Sequence, residues 1–379
     1  MTTLLLYGDT ARYPSMRHEV PLDIIDPFLF VDRDGRPLVL TNPLERARVA
    51  EALPEAELVL ADELGLLELV DGGMPRHEAE LEIAVRALRR WGVTAAAVPP
   101  DLPVAVADRL RAEGIELTVD TAAFEARRRV KTAAELDGIR QAQRAAEAGM
   151  AAAAKALRAA KPVDGRLVGD DGEPLTAEAV RAAARAACAE AGAPAPPDVL
   201  VTSALSGGGH DPGFGPLPAD LPVVVDLWPR HEATGCWADM TRTFVVGEVT
   251  PEVAALRDLV REALEVARAA IRPGVAGRAV YDAAAEVIER AGHPTQRTRA
   301  EGEALTHGFY FALGHGVGLE VHEQPTLGLS AEDVLVAGDV VAIEPGVENL
   351  PGVGGVRFED LVLVTEDGSE TLTDFPYDL

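Results

Sequence analysis

An α/β (α+β) fold in two domains is predicted by three observations. The chain has 379 residues, a length that suits two or three domains. Short apolar strands alternate with a helical pattern over residues 1 to about 125. Beyond Val199, apolar runs recur that are each interrupted or ended by one carboxylate. The composition suits packed domains: 47% of the residues are hydrophobic, but only 4% are aromatic, so the cores must rest on Ala, Val and Leu.

Within residues 1–125, Phe28-Leu29-Phe30-Val31 runs into Asp34-Gly35 and reads as a strand entering a turn. Pro37-Leu38-Val39-Leu40 is its expected hairpin partner. Leu58-Val59-Leu60 and Ala95-Ala96-Ala97-Val98 are further short strands. His77 to Arg90 has helical periodicity through Leu81, Val85 and Leu88. No metal-binding residues cluster in this half. The basic run Arg127-Arg128-Arg129-Val130-Lys131 marks the boundary and is expected as a solvated linker face, an anion-binding patch being the alternative. The second domain, 126–379, opens with a long helix over about Ala133–Ala160, with Glu135 in its first turn and Lys161-Pro162 as its stop. Asp164 to Pro174 reads as an exposed loop or hairpin, and Thr176 as the N-cap of a helix reaching Glu190.

The net charge of −27 is expected to repel nucleic acid and anionic membranes. Cys188 and Cys236 are the only cysteines, so no disulfide framework is available. The opening Met1–Tyr7 carries only a brief Leu4-Leu5-Leu6 run, too short for a signal peptide or a spanning helix. These features predict a cytoplasmic location.

The chemistry concentrates in the last third. In Leu221-Pro222-Val223-Val224-Val225-Asp226-Leu227, a buried-strand pattern holds one aspartate that must be paired or bind a cation. Ala238-Asp239-Met240-Thr241-Arg242-Thr243 repeats the pattern thirteen residues on, and a hairpin would set the two aspartates side by side. A salt bridge from Asp226 to Arg242 is the alternative reading. His315 stands between glycines in Leu313-Gly314-His315-Gly316, and His322 follows seven residues later, so both reach one site only if the chain bends. Glu344 ends the run Val340 to Ile343. On an extended Gly354–Val364 strand, Arg357 and Glu359 share one face and Asp360 takes the other. An ion network centred on Arg357 is the alternative for Glu344 and Glu359. Asp226, Asp239, His315, Glu344 and Glu359 together offer four negative charges and one imidazole, which two divalent cations would balance.

These five segments resemble, in order and in residue type, the ligand motifs of the pita-bread metallopeptidases, a group that includes methionine aminopeptidase, prolidase, Xaa-Pro aminopeptidase and creatinase. The resemblance covers about Arg129 to Leu379. Residues 1 to about 125 look more loosely like a creatinase-type N-terminal domain, which points to the proline-specific branch. The resemblance implies a small N-terminal α/β domain followed by a pita-bread catalytic domain, with a curved, mainly antiparallel sheet covered by helices. It implies that Asp226, Asp239, His315, Glu344 and Glu359 hold two ions (Mn, Co or Zn), with Glu344 as general base. It places His210 and His322 at the substrate and the tetrahedral intermediate, and Arg357 in support of the site. The implied activity is hydrolysis of an Xaa-Pro bond in a short peptide, as a dipeptidase or an aminopeptidase, in a homodimer. A creatinase-like amidinohydrolase and a non-catalytic peptidase-fold binding module are the rival readings. Two departures stand out. The connection Trp228 to Ala238 is longer than the usual hairpin and is expected to reshape the pocket rim. Tyr310-Phe311-Ala312 stands where the family often has a histidine, and His307 is out of step and is expected to be a structural or surface residue.

Overall fold

A computed structural model describes residues 3–203, 206 and 210–378. The chain divides into two compact units, Met1–Arg128 and Arg129–Leu379.

The first unit is built on a six-stranded sheet. Its centre is Thr3–Gly8, a strand where the sequence shows only a brief leucine run. This strand pairs antiparallel with Phe28–Arg33 and parallel with Ala95–Val98. The expected hairpin forms, with Leu29 opposite Leu40 and Val31 opposite Leu38. Strand alternation divides the core into two layers. Leu5, Leu29 and Val31 pack with Ile83, Leu88 and Leu110 on one face. Leu4, Leu6 and Phe30 pack with Met16, Val49 and Phe124 on the other.

Among the described residues, the second unit carries a three-stranded, a five-stranded and two two-stranded sheets, whose strand pairs are antiparallel. Its long helix is Ala133–Ala159. Thr132 and Glu135 close a capping box at its start, where the Thr132 hydroxyl accepts from the Glu135 amide and the Glu135 carboxylate accepts from the Thr132 amide. The helix buries a stripe of alanines against the helix Ala177–Glu190. Gly149 is needed at that crossing, since a Cβ there would lie 2.4 Å from the Cys188 sulfur. These two helices cover the strands Leu200–Ser203, Val223–Leu227 and Met240–Phe244. Two further helices, Pro251–Ala270 and Gly277–Arg290, cover the strands that follow.

Two expectations are corrected. Gly354–Val364 is not one strand: Gly354–Arg357 and Asp360–Val364 belong to different sheets, and Phe358 and Glu359 form the crossing. The basic run is not a solvated face. Arg127 pairs with Glu19 and Asp32, Arg129 with the fully buried Asp339, and Lys131 with Glu323 while being only 7% exposed. Among the described residues, no helix is long and apolar enough to cross a membrane.

Candidate metal centre

Alternation on the strand Val223–Leu227 sends Val223, Val225 and Leu227 into the core beneath the two helices. Asp226 takes the opposite face and lines a cavity. Its partner in register is Thr241, so Asp239 sits just before the strand Met240–Phe244, at the same end of the hairpin. The long connection between the aspartates folds back on itself. His231 and Cys236 share a backbone hydrogen bond of 2.8 Å, Arg230 lies over the Trp237 ring, and Trp228 becomes part of the cavity wall.

His315 lies on the three-residue strand Gly314–Gly316, flanked by strands on both sides. Their backbones come so close that a Cβ on Gly314 would lie 1.9 Å from the Ala342 carbonyl, and one on Gly316 2.2 Å from that of Gln324. The glycines are therefore the condition for placing His315 at all. A register shift between His315 and Gly316 supplies the bend that brings His322 back, with the two rings edge to face at 4.2 Å. Glu344 follows the buried strand Val340–Ile343, and its amide donates to Leu313 O. Glu359 is fixed at the sheet crossing: its amide donates to Thr241 O at 3.1 Å, and the Thr241 hydroxyl donates to its Oε2 at 2.7 Å.

The side chains converge. Donor atoms of Asp226, Asp239 and Glu359 lie within 4.8 Å of one another, as do those of His315, Glu344 and Glu359, and those of Asp239, His315 and His322. His315 Nε2 is 3.7 Å from both Asp239 and Glu344, while its Nδ1 faces Gly316 O at 3.1 Å. The Nδ1 contact requires the proton on that nitrogen, which leaves the Nε2 lone pair aimed at the carboxylates. Burial, reinforced by His322, lowers the His315 pKa to about 4 and keeps it neutral.

The carboxylates face the opposite problem. Burial, reinforced by Glu359, Asp226 and Glu344, raises the Asp239 pKa well above its ordinary range. Burial, Glu344 and Asp226 do the same to Glu359. Burial pushes Glu344 up to about 8, although Arg357 opposes the rise. Arg357 is the cation the chain supplies. Its Nη2 is 2.7 Å from Asp226, its Nη1 3.7 Å from Glu344 and its Nε 3.5 Å from Glu348. Burial by itself would lower the Arg357 pKa, but Glu348, Asp226, Glu344 and Glu359 outweigh it and raise it. The expected Arg357 network therefore forms, and the carboxylate cluster forms beside it. Asp226 does not pair with Arg242, which is engaged by Asp360 instead.

A divalent ion fits these residues. The donors are oxygen-rich with one neutral imidazole, a set suited to Mn²⁺, Co²⁺ or Zn²⁺. Asp226 Oδ1 is buried without a hydrogen-bond partner, so it has a lone pair to give. Arg357 and Glu348 cancel, and the four remaining carboxylates leave a charge that two divalent ions would neutralise.

The cavity has a volume of about 340 Å³ and is walled by Leu200, Trp228, Val321, His210, His322 and Asp198 beside the ligands. His210 and His322 are both exposed at its mouth; the glycines that precede His210, at 207–209, lie outside the described residues. Burial and the neighbouring His210 lower the His322 pKa. His307 is exposed and does not line the cavity. Phe311, within the Tyr310-Phe311-Ala312 segment, packs its ring 5.9 Å from the Arg357 guanidinium. Sequence reasoning missed Glu348, Asp198 and the role of the Thr241 hydroxyl, none of which stands at a position that strand pattern or motif marks as a ligand.

A scan against family models matches residues 137–366 to metallopeptidase family M24. The chain belongs to that family. Membership implies divalent metal ions, and the three donor groups are where this chain could hold them. It is 38% identical over 157 residues to a probable dipeptidase PepE of Mycobacterium tuberculosis, covering 41% of this chain and 38% of that protein. It is 38% identical over 151 residues to an Xaa-Pro dipeptidase of Pyrococcus furiosus, covering 40% and 39%. The chain thus spans about two fifths of the length of the curated relatives it matches. Over its whole length the fold is similar to an Xaa-Pro dipeptidase from Bacillus anthracis, with a TM-score of 0.77 at 22% identity and 94% of that chain covered. It is also similar to the dipeptidase PepE of Mycobacterium ulcerans, with a TM-score of 0.72 at 27% identity and 92% covered. The pita-bread architecture expected for the second unit is the fold of these neighbours.

Proposed function

We propose that this chain is a dinuclear-metal exopeptidase that hydrolyses the bond between an N-terminal residue and a following proline, in dipeptides or short peptides. The observation that carries this reading is the convergence of Asp226, Asp239, His315, Glu344 and Glu359 with Arg357 already offset by Glu348. Asp226, Asp239, His315, Glu344 and Glu359 would together hold the ions. The ions, Mn²⁺, Co²⁺ or Zn²⁺, supply polarisation of the scissile carbonyl and acidification of an attacking water.

The rest is the work of side chains. Glu344 accepts the proton of the attacking water, a task suited to a carboxylate that lines the cavity beside the other ligands. It then passes that proton to the leaving proline nitrogen. His322 and His210, at the mouth of the cavity, donate to the developing oxyanion and orient the peptide. Arg357 holds Asp226 and Glu344 in place rather than reaching freely into the cavity. An Xaa-Pro bond has no N–H to offer a groove, so recognition must come from the shape of the proline ring, and Leu200, Trp228 and Val321 provide an apolar wall for it. Unit Met1–Arg128 is read as a creatinase-type N-terminal domain, the whole as a cytoplasmic homodimer.

Hydrolysis of Ala-Pro and of Ala-Pro-Ala by Mn²⁺-loaded protein tests the proposal and separates dipeptidase from aminopeptidase. Turnover of either supports it. Both peptides left intact, with two ions bound, would favour a binding module; turnover of creatine would favour the amidinohydrolase.

A further inference from the structure

Behind the cluster, on the side away from the cavity, one guanidinium joins three separate stretches of chain. Arg242 is 1% exposed, and all five of its N–H donors are used. Its Nη1 donates to Thr241 O at 2.9 Å and Glu359 O at 2.7 Å. Its Nη2 donates to Asp360 Oδ1 at 3.0 Å and Phe375 O at 2.9 Å, and its Nε to Pro376 O at 3.0 Å. The Tyr377 ring lies 4.4 Å under the guanidinium, and the Tyr377 hydroxyl donates to Asp360 Oδ2 at 2.5 Å. Asp360 is fully buried and also has Arg268 at 3.7 Å.

The stretch 375–377 has no residue in the cavity, yet it is bonded to the backbone of Glu359 through one side chain. Glu359 lies where the chain leaves one sheet for another, so no strand ladder holds it. It is anchored instead by Thr241, through the amide and the hydroxyl, and by Arg242, through the carbonyl. Thr241 and Arg242 sit on the strand that Asp239 precedes. Arg242 therefore ties together the backbones that carry two carboxylates of the cluster, and Tyr377 holds Arg242 and Asp360 from beneath.

We infer that Arg242 and Tyr377 are positioning residues for the metal centre: they latch residues 375–377 onto the Glu359 crossing, and divalent-ion affinity depends on that latch. The inference rests on the reading of the cluster as a metal centre. Partners that orient a ligand from behind typically contribute about 10- to 100-fold in metal affinity. A latch that acts only on the fold would change stability and leave affinity alone.

Calorimetric titration of chelator-stripped protein with Mn²⁺ separates these cases, with wild type measured first, then Tyr377→Phe, Tyr377→Ala and Arg242→Lys. Thermal unfolding of each stripped variant is followed alongside. The expected result is about a tenfold loss of affinity in Tyr377→Ala, a smaller loss in Tyr377→Phe, which keeps the ring, and a loss in Arg242→Lys, which cannot reproduce the five-donor fork. Should Tyr377→Ala or Arg242→Lys not fold, Tyr377→Phe decides. Wild-type affinity in the folded Tyr377 variants, with only a lowered Tm, overturns the latch and leaves the metal centre standing. Wild-type protein that takes up no Mn²⁺ overturns the metal reading itself, and the latch with it.

Discussion

Glu359 and Asp360 are neighbours in sequence and both are buried, at 1% and 0% exposure, yet the chain treats them in opposite ways. Asp360 meets Arg242, Arg268 and the Tyr377 hydroxyl. Glu359 meets Asp226, Asp239 and Glu344, with Arg357 shared among them. A buried carboxylate is stable only when its charge is compensated. Behind the crossing the protein provides the cation itself and closes the site. In front it provides too few, and the excess negative charge sets the requirement that ions from solution meet.

Removing a front carboxylate should break function and spare the fold. Asp239→Asn and Glu359→Gln are each expected to lower kcat/KM for Ala-Pro by at least about 10²-fold, since losing a ligand should exceed the loss of an outer partner. Steady-state kinetics beside a circular dichroism spectrum checks both halves of that expectation. Removing the rear cation should cost the fold as well as metal affinity. Arg242→Met leaves Asp360 buried with a weaker set of partners and is expected to cost about 3–5 kcal/mol in denaturant unfolding. Adding Asp360→Asn to that variant should recover part of the loss, which a double-mutant cycle measures.

The pH dependence of the metal-free chain sharpens the contrast. Burial raises the front carboxylates, Glu344 to about 8, so the folded state holds protons there that the unfolded state has released. That contribution is fully present below the ordinary carboxylate pKa and is lost as pH rises through about 8. The Tm of stripped protein should therefore fall between about pH 5 and pH 8, and saturating Mn²⁺ should reverse the fall. A Tm flat across this range in stripped protein would mean that the front is not short of cations. The smallest effect belongs to a carboxylate in water. Glu370 pairs with Arg140 while 47% exposed, and Glu370→Gln is expected to change stability by no more than about 1 kcal/mol and Mn²⁺ affinity not at all.

Much of the front is legible in the sequence because strand burial leaves a simple mark: one acidic residue in a run such as Val223-Val224-Val225-Asp226 has to be explained by a cation. The glycines at 314 and 316 signal close backbone approach in the same way. Strand alternation sets Asp360 on the other face from Glu359 but cannot name its partner, and Arg242, weighed against Asp226 on sequence grounds, turns out to serve Asp360. Which cross-strand neighbour meets which depends on register, and register is set by tertiary packing. The crossing at Phe358 and Glu359 is hidden for a similar reason, since an apolar run looks the same whether it stays in one sheet or changes sheets. The helices Pro251–Ala270 and Gly277–Arg290 are absent from the sequence-based expectations, although the first carries a readable start. Thr250 caps it before Pro251, and Val253, Leu256, Val260 and Ala267 form a plain amphipathic pattern of buried residues.

In the proposed centre, Asp226, Asp239, His315, Glu344 and Glu359 would hold two divalent ions. The most direct test is the stoichiometry of Mn²⁺ bound to stripped wild-type protein, measured by calorimetry and by elemental analysis after gel filtration. The expected result is two ions per chain, with loss of at least one in Asp239→Asn. Protein that binds none, or that binds the same number after that substitution, would contradict it.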